Sequence, residues 1–248
     1  MFAIVLAGGM GKRMKSALPK VLHKVCGKPM ILHILGQLFS LKEIEKTIVV
    51  IGYKRALVKK ALPKWAKTAV QKKMLGTGDA VKSAAYHFKN YDGDILVLCG
   101  DTPLIRAATL KSIVGIHKTE LNKVTIVTTK VADPANYGRI IRNKKGEAVG
   151  IIEEKSATAQ QKKIKEINTG IYCFDSKMLY FALGKIKKNK LKGEYYLTDA
   201  IEILKKNGCR IGTVPVKDAR EVMGVDDPSR LKSCQEYLKK QVLGARRK

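Results

Sequence analysis

The chain has 248 residues, with 49 lysines and arginines against 21 aspartates and glutamates, a formal net charge of +28; 45% is hydrophobic and only 6% aromatic. That is enough apolar material for one large α/β domain or a domain with a lobe, and it excludes a chain disordered throughout. The longest apolar runs, such as residues 48–51 and 95–99, fall far short of the roughly 20 residues a membrane-spanning helix needs. Strand-like Phe2-Ala3-Ile4-Val5-Leu6 opens the chain with no basic leader, so a cytoplasmic protein with no membrane partner is expected. Short β-branched runs then alternate with amphipathic stretches. Strands are predicted at 3–6, 47–51, 68–71, 95–99 and 124–129, and helices at 30–40, 54–62, 77–88 and 107–118. This alternation implies βαβ units and a mainly parallel sheet. After residue 129 the pattern changes: 139–142 and 148–153 read as a hairpin across Asn143-Lys144-Lys145-Gly146, and 167–174 as a strand. A helix at 197–206 stops at Asn207-Gly208. A last helix starts at Pro228 behind Asp227 as N-cap, with Leu231, Cys234, Leu238 and Val242 on one face.

The five cysteines (Cys26, Cys99, Cys173, Cys209, Cys234) include no pair closer than 25 residues, and the four histidines form no HExxH. Free thiols in a reducing compartment are expected, and a thiolate- or histidine-bound metal is not. The positive charge would attract a polyanion. However, the 39 lysines outnumber the 10 arginines and are dispersed, with few aromatics among them. A phosphate-reading surface favours arginine forks and interleaved aromatics, so a solvated lysine-rich surface with no specific nucleic-acid partner is expected.

The first strand runs into Leu6-Ala7-Gly8-Gly9-Met10-Gly11-Lys12-Arg13-Met14. Glycine turns after a first strand let backbone N–H groups approach phosphates. Two common versions do not fit. A P-loop needs glycine at position 6 and Ser or Thr at position 13, where Leu6 and Arg13 stand. A dinucleotide fingerprint counted from Gly9 needs a small residue where Met14 stands and an acid about 20 residues on, yet the first acid is Glu43. What remains is a flexible turn with Lys12 and Arg13, followed by Leu18-Pro19-Lys20: cations beside a glycine cradle, or an ordinary strand-to-helix turn with surface cations.

These residues resemble the sugar-phosphate nucleotidyltransferases, the nucleoside-diphosphate-sugar pyrophosphorylases. Later segments narrow the likeness: Gln71 with Leu75-Gly76-Thr77-Gly78-Asp79-Ala80, Gly100-Asp101-Thr102-Pro103-Leu104-Ile105, Asn136-Tyr137-Gly138-Arg139-Ile140, Glu166-Ile167-Asn168-Thr169-Gly170-Ile171 and Gly193-Glu194-Tyr195-Tyr196-Leu197-Thr198-Asp199. In order, from about residue 2 to 230, they resemble the uridylyltransferase domain of the bacterial N-acetylglucosamine-1-phosphate uridylyltransferases. The resemblance implies an α/β fold: a Rossmann-like, mainly parallel sheet flanked by helices, with a smaller sugar-binding β lobe. It implies a nucleotidyltransferase domain over 1–230, with a nucleotide-binding half to about 130 and a sugar-binding half over about 131–227, then a C-terminal helix and basic tail over 228–248. Two-activity relatives continue into a left-handed β-helix. No hexapeptide repeat occurs in this sequence, so that domain is not expected in it.

The implied reaction transfers a uridylyl group from UTP to N-acetylglucosamine 1-phosphate with Mg²⁺. Leu6, Ala7, Gly8, Gly9 and Gly11 would wrap the nucleotide, Gln71 and Gly76 would meet the base, and Thr77 would join them or cap its helix. Arg13, Lys20 and Asp101 would be catalytic, the cations neutralising phosphate charge. Asp101 follows the 95–99 strand, where open α/β sheets bind ligands, and would share the metal with Asp226; the alternative for Asp101 is an Asx-turn before Pro103. Asp226 departs from the subfamily pattern, which has Asn there. Gly138, Glu153, Asn168, Tyr196 and Thr198 would line the sugar. Against this, Glu153 suits a surface salt bridge, Tyr196 the core and Thr198 a helix cap. Cys99 is another departure, read as a buried thiol. The alternatives are another hexose 1-phosphate with UTP or dTTP, and a non-catalytic nucleotide-sugar sensor.

Overall fold

The computed structural model describes residues 1–190 and 193–245. In chain order the strands are β1 (Phe2–Ala7), a two-residue pair β2 (Lys24–Val25) and β3 (Lys28–Pro29), β4 (Lys46–Ile51), β5 (Lys67–Val70), β6 (Asp94–Cys99), β7 (Val124–Lys130), β8 (Arg139–Arg142), β9 (Ala148–Ile152), β10 (Glu166–Asp175) and β11 (Ile211–Pro215). The helices are α1 (Met30–Phe39), α2 (Arg55–Ala61), α3 (Thr77–Ser83), α4 (Ala107–Thr119), α5 (Ala159–Lys162), α6 (Ser176–Lys185), α7 (Asp199–Lys206), α8 (Ala219–Val222) and α9 (Pro228–Ala245).

The central sheet runs β11-β7-β10-β6-β1-β4-β5. Neighbours β6, β1, β4 and β5 are parallel, as are β7 and β11, while β10 lies antiparallel between β6 and β7. The sheet is therefore mixed and mostly parallel. The β8–β9 hairpin attaches at the start of β10 through Arg139 opposite Ile167. Helices cover both faces, which explains why the strands read as unbroken apolar runs. Alternate residues of β4 divide between two cores: Val49 and Ile51 pack with Ile34, Leu35, Leu98 and Ile113, whereas Ile48 and Val50 pack with Val81, Phe88, Val97, Leu179 and Ile201. A third cluster of Val25, Met30, Val225 and Cys234, with Leu231 and Leu238 against it, docks α9 on the β2–β3 pair. This apolar anchor places the turn before α9 beside the end of β6. The Val242 side chain and the tail Arg246-Arg247-Lys248 lie outside what is described.

The parallel strands fall within a residue or two of the sequence expectation. The helix expected over 77–88 is shorter: α3 ends at Ser83, and a 3-10 turn at Ala85–His87 carries Phe88 into the core. α6 and β11 were not expected. Asp175 caps α6 by accepting from Met178 N at 3.0 Å, and β11 is a short edge strand interrupted by Gly212 and ended by Pro215. Asp227 caps α9 as expected, accepting from Arg230 N at 2.9 Å.

Candidate active site

The carboxyl ends of the parallel strands open onto a cleft of about 610 Å³. Leu6, Ala7, Gly8, Gly9, Gly11, Gln71, Gly76 and Thr77 all line it, together with Lys20, Asp101 and Tyr196. The glycine turn leaves β1 and closes through a 3-10 turn at Lys12–Met14 whose Met14 is buried. Gly11 has φ +67°, and a Cβ there would lie 2.6 Å from Lys20 Cβ; only glycine lets the turn close against that lysine. Gln71, 5% exposed, follows β5. Its Nε2 donates to Gly76 O at 3.1 Å and to Asp79 Oδ2 at 2.8 Å. Thr77 does not cap α3: Gly76 is the N-cap, and Thr77 Oγ1 instead accepts from Leu197 N at 2.9 Å, clasping the two halves of the chain.

Lys20 stands between two carboxylates from distant parts of the chain. Its Nζ donates to Asp101 and, at 2.9 Å, to Asp226 Oδ1. Arg13 Nη2 lies 2.9 Å from the other Asp226 oxygen, and Arg230 3.7 Å from it. Val225 N donates to Asp101 O at 2.8 Å, so backbone pairing as well as charge fixes the two acids together. Burial alone would lower the Lys20 pKa; the Asp101 and Asp226 carboxylates outweigh it and hold the ammonium above the usual lysine range. Burial would raise the Asp226 carboxyl, but Lys20, Arg13 and Arg230 hold it below its ordinary value. Asp101 and Asp226 thus converge on one cation position and offer hard oxygen donors. Among the described residues no group of three or more His, Cys, Asp and Glu forms a metal cage. Two carboxylates, with water and phosphate oxygens completing the shell, suit Mg²⁺. Burial, with the Asp101 charge beside it, pushes the Cys99 thiol up to about 12, which leaves it protonated and inert.

The residues expected on the acceptor side gather at the start of β10. Asn168 N donates to Gly138 O at 2.8 Å, and Asn168 Oδ1 accepts from Gly170 N at 3.1 Å. Thr198 Oγ1 donates to Glu153 Oε1 at 2.9 Å rather than capping its helix. Beside Glu153, Arg139, 1% exposed, pairs with Glu154 at 2.5 Å. Tyr196 is half-buried at the cleft wall, and burial followed by the Glu194 charge pushes its hydroxyl up to about 12. Burial and the Glu153 charge raise Asp199 to about 6.

Sequence reasoning missed two positioning side chains. Arg139 donates to Tyr137 O and holds the Tyr137–Gly138 turn against Glu154. Arg230 donates to Tyr137 Oη at 2.5 Å and to Gly224 O at 3.3 Å. The sequence did carry one signal for Arg230: it stands in the first turn of the last helix, directly after Asp226 and Asp227.

Residues 2–219 match the model of the nucleotidyl transferase family. The chain belongs to that family. This nucleotidyltransferase is 44% identical over 241 residues to the bifunctional protein GlmU of Geobacillus thermodenitrificans, covering 97% of this chain and 52% of that one. It is 43% identical to the proteins of the same name from Shouchella clausii and Pelotomaculum thermopropionicum, covering 97% of this chain and 53% and 52% of theirs. The nucleotidyltransferase chain thus spans about half the length of the curated relatives it matches. Among the described residues no helix is long and apolar enough to cross a membrane.

Proposed function

We propose that this nucleotidyltransferase transfers the uridylyl group of UTP to N-acetylglucosamine 1-phosphate in the cytoplasm, giving UDP-N-acetylglucosamine and pyrophosphate. The observation that carries the reading is the meeting of Asp101 and Asp226 at Lys20, beside the glycine turn. The relatives named bifunctional protein GlmU support the choice of substrates.

The sugar phosphate is anionic at neutral pH, so no protein base is required. Its phosphate oxygen attacks the α-phosphorus of UTP, the bond to the β-phosphate breaks, and pyrophosphate leaves with the electron pair. Leu6, Ala7, Gly8, Gly9 and Gly11 bring backbone close to the nucleotide, and Gln71 and Gly76 meet the base beside Thr77. Arg13 and Lys20 offset the charge that builds on the phosphoryl oxygens. Asp101 and Asp226 would hold Mg²⁺, which would supply further charge neutralisation and orientation. Gly138, Glu153, Asn168, Tyr196 and Thr198 hold the sugar, with Glu153 accepting from its hydroxyls. A pyrophosphate-release assay over a matrix of nucleoside triphosphates and hexose 1-phosphates tests this. UTP with N-acetylglucosamine 1-phosphate should give the highest kcat/KM; equal use of glucose 1-phosphate would overturn the named acceptor.

A further inference from the structure

A glutamine side chain can meet a base as donor or as acceptor, and the surroundings of Gln71 decide which. A primary amide carries two N–H bonds. Both Gln71 Nε2 donors meet protein acceptors, Gly76 O at 3.1 Å and Asp79 Oδ2 at 2.8 Å. Oε1 lies on the side of Gly8, where an added Cβ would be only 2.6 Å from it. Turning the amide over would set Oε1 against a carbonyl and a carboxylate, two acceptors, one of them charged. Asp79 itself does not line the cleft; it is half-buried in the first turn of α3, behind Gln71.

We infer that Asp79 sets the polarity of base selection: by holding Nε2 it leaves Gln71 Oε1 as a fixed acceptor for a ring N–H. This rests on the reading of the cleft as a nucleotide site. Uracil presents a donor at N3, which pairs with Oε1. Cytosine presents a lone pair at N3, which opposes it. Thymine carries the same N3–H as uracil, so the device separates UTP and dTTP from CTP and leaves the first two alike. Asp79 is a positioning residue, acting through Gln71. Its charge also favours the N-terminal turn of α3; losing that contribution lowers stability for every substrate equally.

The test is kcat/KM for UTP and for CTP at saturating N-acetylglucosamine 1-phosphate, in the unmutated enzyme and in Asp79→Ala and Asp79→Asn. The unmutated enzyme should favour UTP strongly. In Asp79→Ala the turned amide opposes only the neutral Gly76 carbonyl and no longer a carboxylate, so the UTP-to-CTP ratio should fall roughly ten- to hundred-fold. KM for the sugar phosphate should not move. Asp79→Asn is nearly isosteric and should fold normally. Its side-chain oxygen still accepts but its amide also donates, so the ratio should be intermediate. A ratio unchanged in both variants, with both nucleotides losing rate together, would overturn the inference and leave the uridylyl reading standing. An unmutated enzyme with no preference for UTP would overturn that reading and the inference with it.

Discussion

Lys20→Met removes one cation that two carboxylates share. Among the described residues Asp101 has no other salt-bridge partner, whereas Asp226 keeps Arg13 at 2.9 Å and Arg230 at 3.7 Å. The three side chains of the cluster are only 14–19% exposed. Removing one partner from a pair at this depth costs roughly 3 kcal/mol, or about 6–12 °C in Tm for a chain of this length. Two properties separate this loss from lost packing. In the unmutated protein the ammonium occupies the position to which both carboxylates point, so a divalent cation must displace it. In the variant that position is open, and millimolar Mg²⁺ should restore much more of the variant's Tm than it adds to the unmutated protein. The pH dependence is the second. The Lys20 pKa lies above its ordinary 10.5, so its contribution is complete below that pH and is lost only as pH rises through the higher folded value. Asp226 lies below its ordinary 3.8, so its contribution holds above that pH and is lost as pH falls through the lower folded value. The variant's deficit should therefore stay level from neutral pH down to about 4 and shrink only below that, as Asp226 protonates. Thermal denaturation with and without MgCl₂, from neutral pH to about 3, gives both readings; pyrophosphate release should fall about 10²–10³-fold. A variant as stable as the parent at neutral pH, or an equal Mg²⁺ response in both, would refute the reasoning.

On the proposed reading, Asp226→Asn keeps an oxygen donor and should retain much of the turnover measured with Mg²⁺, with the Mg²⁺ titration shifted to higher concentration; complete loss would mean that the second carboxylate acts in another way. Asn168→Ala should narrow the preference for N-acetylglucosamine 1-phosphate over glucose 1-phosphate about tenfold while leaving KM for UTP in place, as steady-state kinetics with each sugar would show. Asp199 is raised from 3.8 to about 6 by burial and by the charges of Glu153 and Glu202, so the stability it contributes is complete below its unfolded value and disappears as pH rises through 6. Asp199→Asn should accordingly unfold at higher temperature than the parent above pH 6 and at the same temperature near pH 4.

The strands of the parallel core were legible because burial on both faces demands continuous apolar runs, and residues 47–51 and 95–99 supply them. β11 was not, because its five residues include a glycine and a proline and it takes its strand conformation from pairing with Val124–Thr128 of β7. α6 was legible in principle: Asp175 stands three residues before Met178, the spacing of an N-cap, but the preceding strand residues masked it. For the site, motif spacing names the glycine turn, Lys20, Gln71, Gly76, Thr77, Asp101 and Tyr196, all of which line the cleft. Spacing says nothing of how they are paired. That Lys20 bridges acids 81 and 206 residues away, that Thr77 clasps Leu197, and that Asp79 rather than solvent holds Gln71 all depend on packing between distant segments.

One antiparallel strand explains how the acceptor-side residues come to share an edge with the rest. Parallel strands deliver their carboxyl ends to one side of a sheet: β1 delivers the glycine turn, β5 Gln71 and β6 Asp101. β10 runs the other way, with Tyr172 opposite Val97 and Phe174 opposite Ile95. Its beginning, not its end, therefore reaches that edge, and Cys99 Sγ at the close of β6 meets Gly170 O at 3.7 Å. The pairing of β10 with β7 shifts register between Asn168 and Tyr172, an irregularity of the kind that re-aims a side chain. Were β10 parallel to β6, Asn168 would lie at the opposite edge, about 20 Å away at the rise of an extended strand. Reversal of this single strand is thus what brings Asn168, with Gly138 hydrogen-bonded to it, to the edge that carries Gln71 and Asp101.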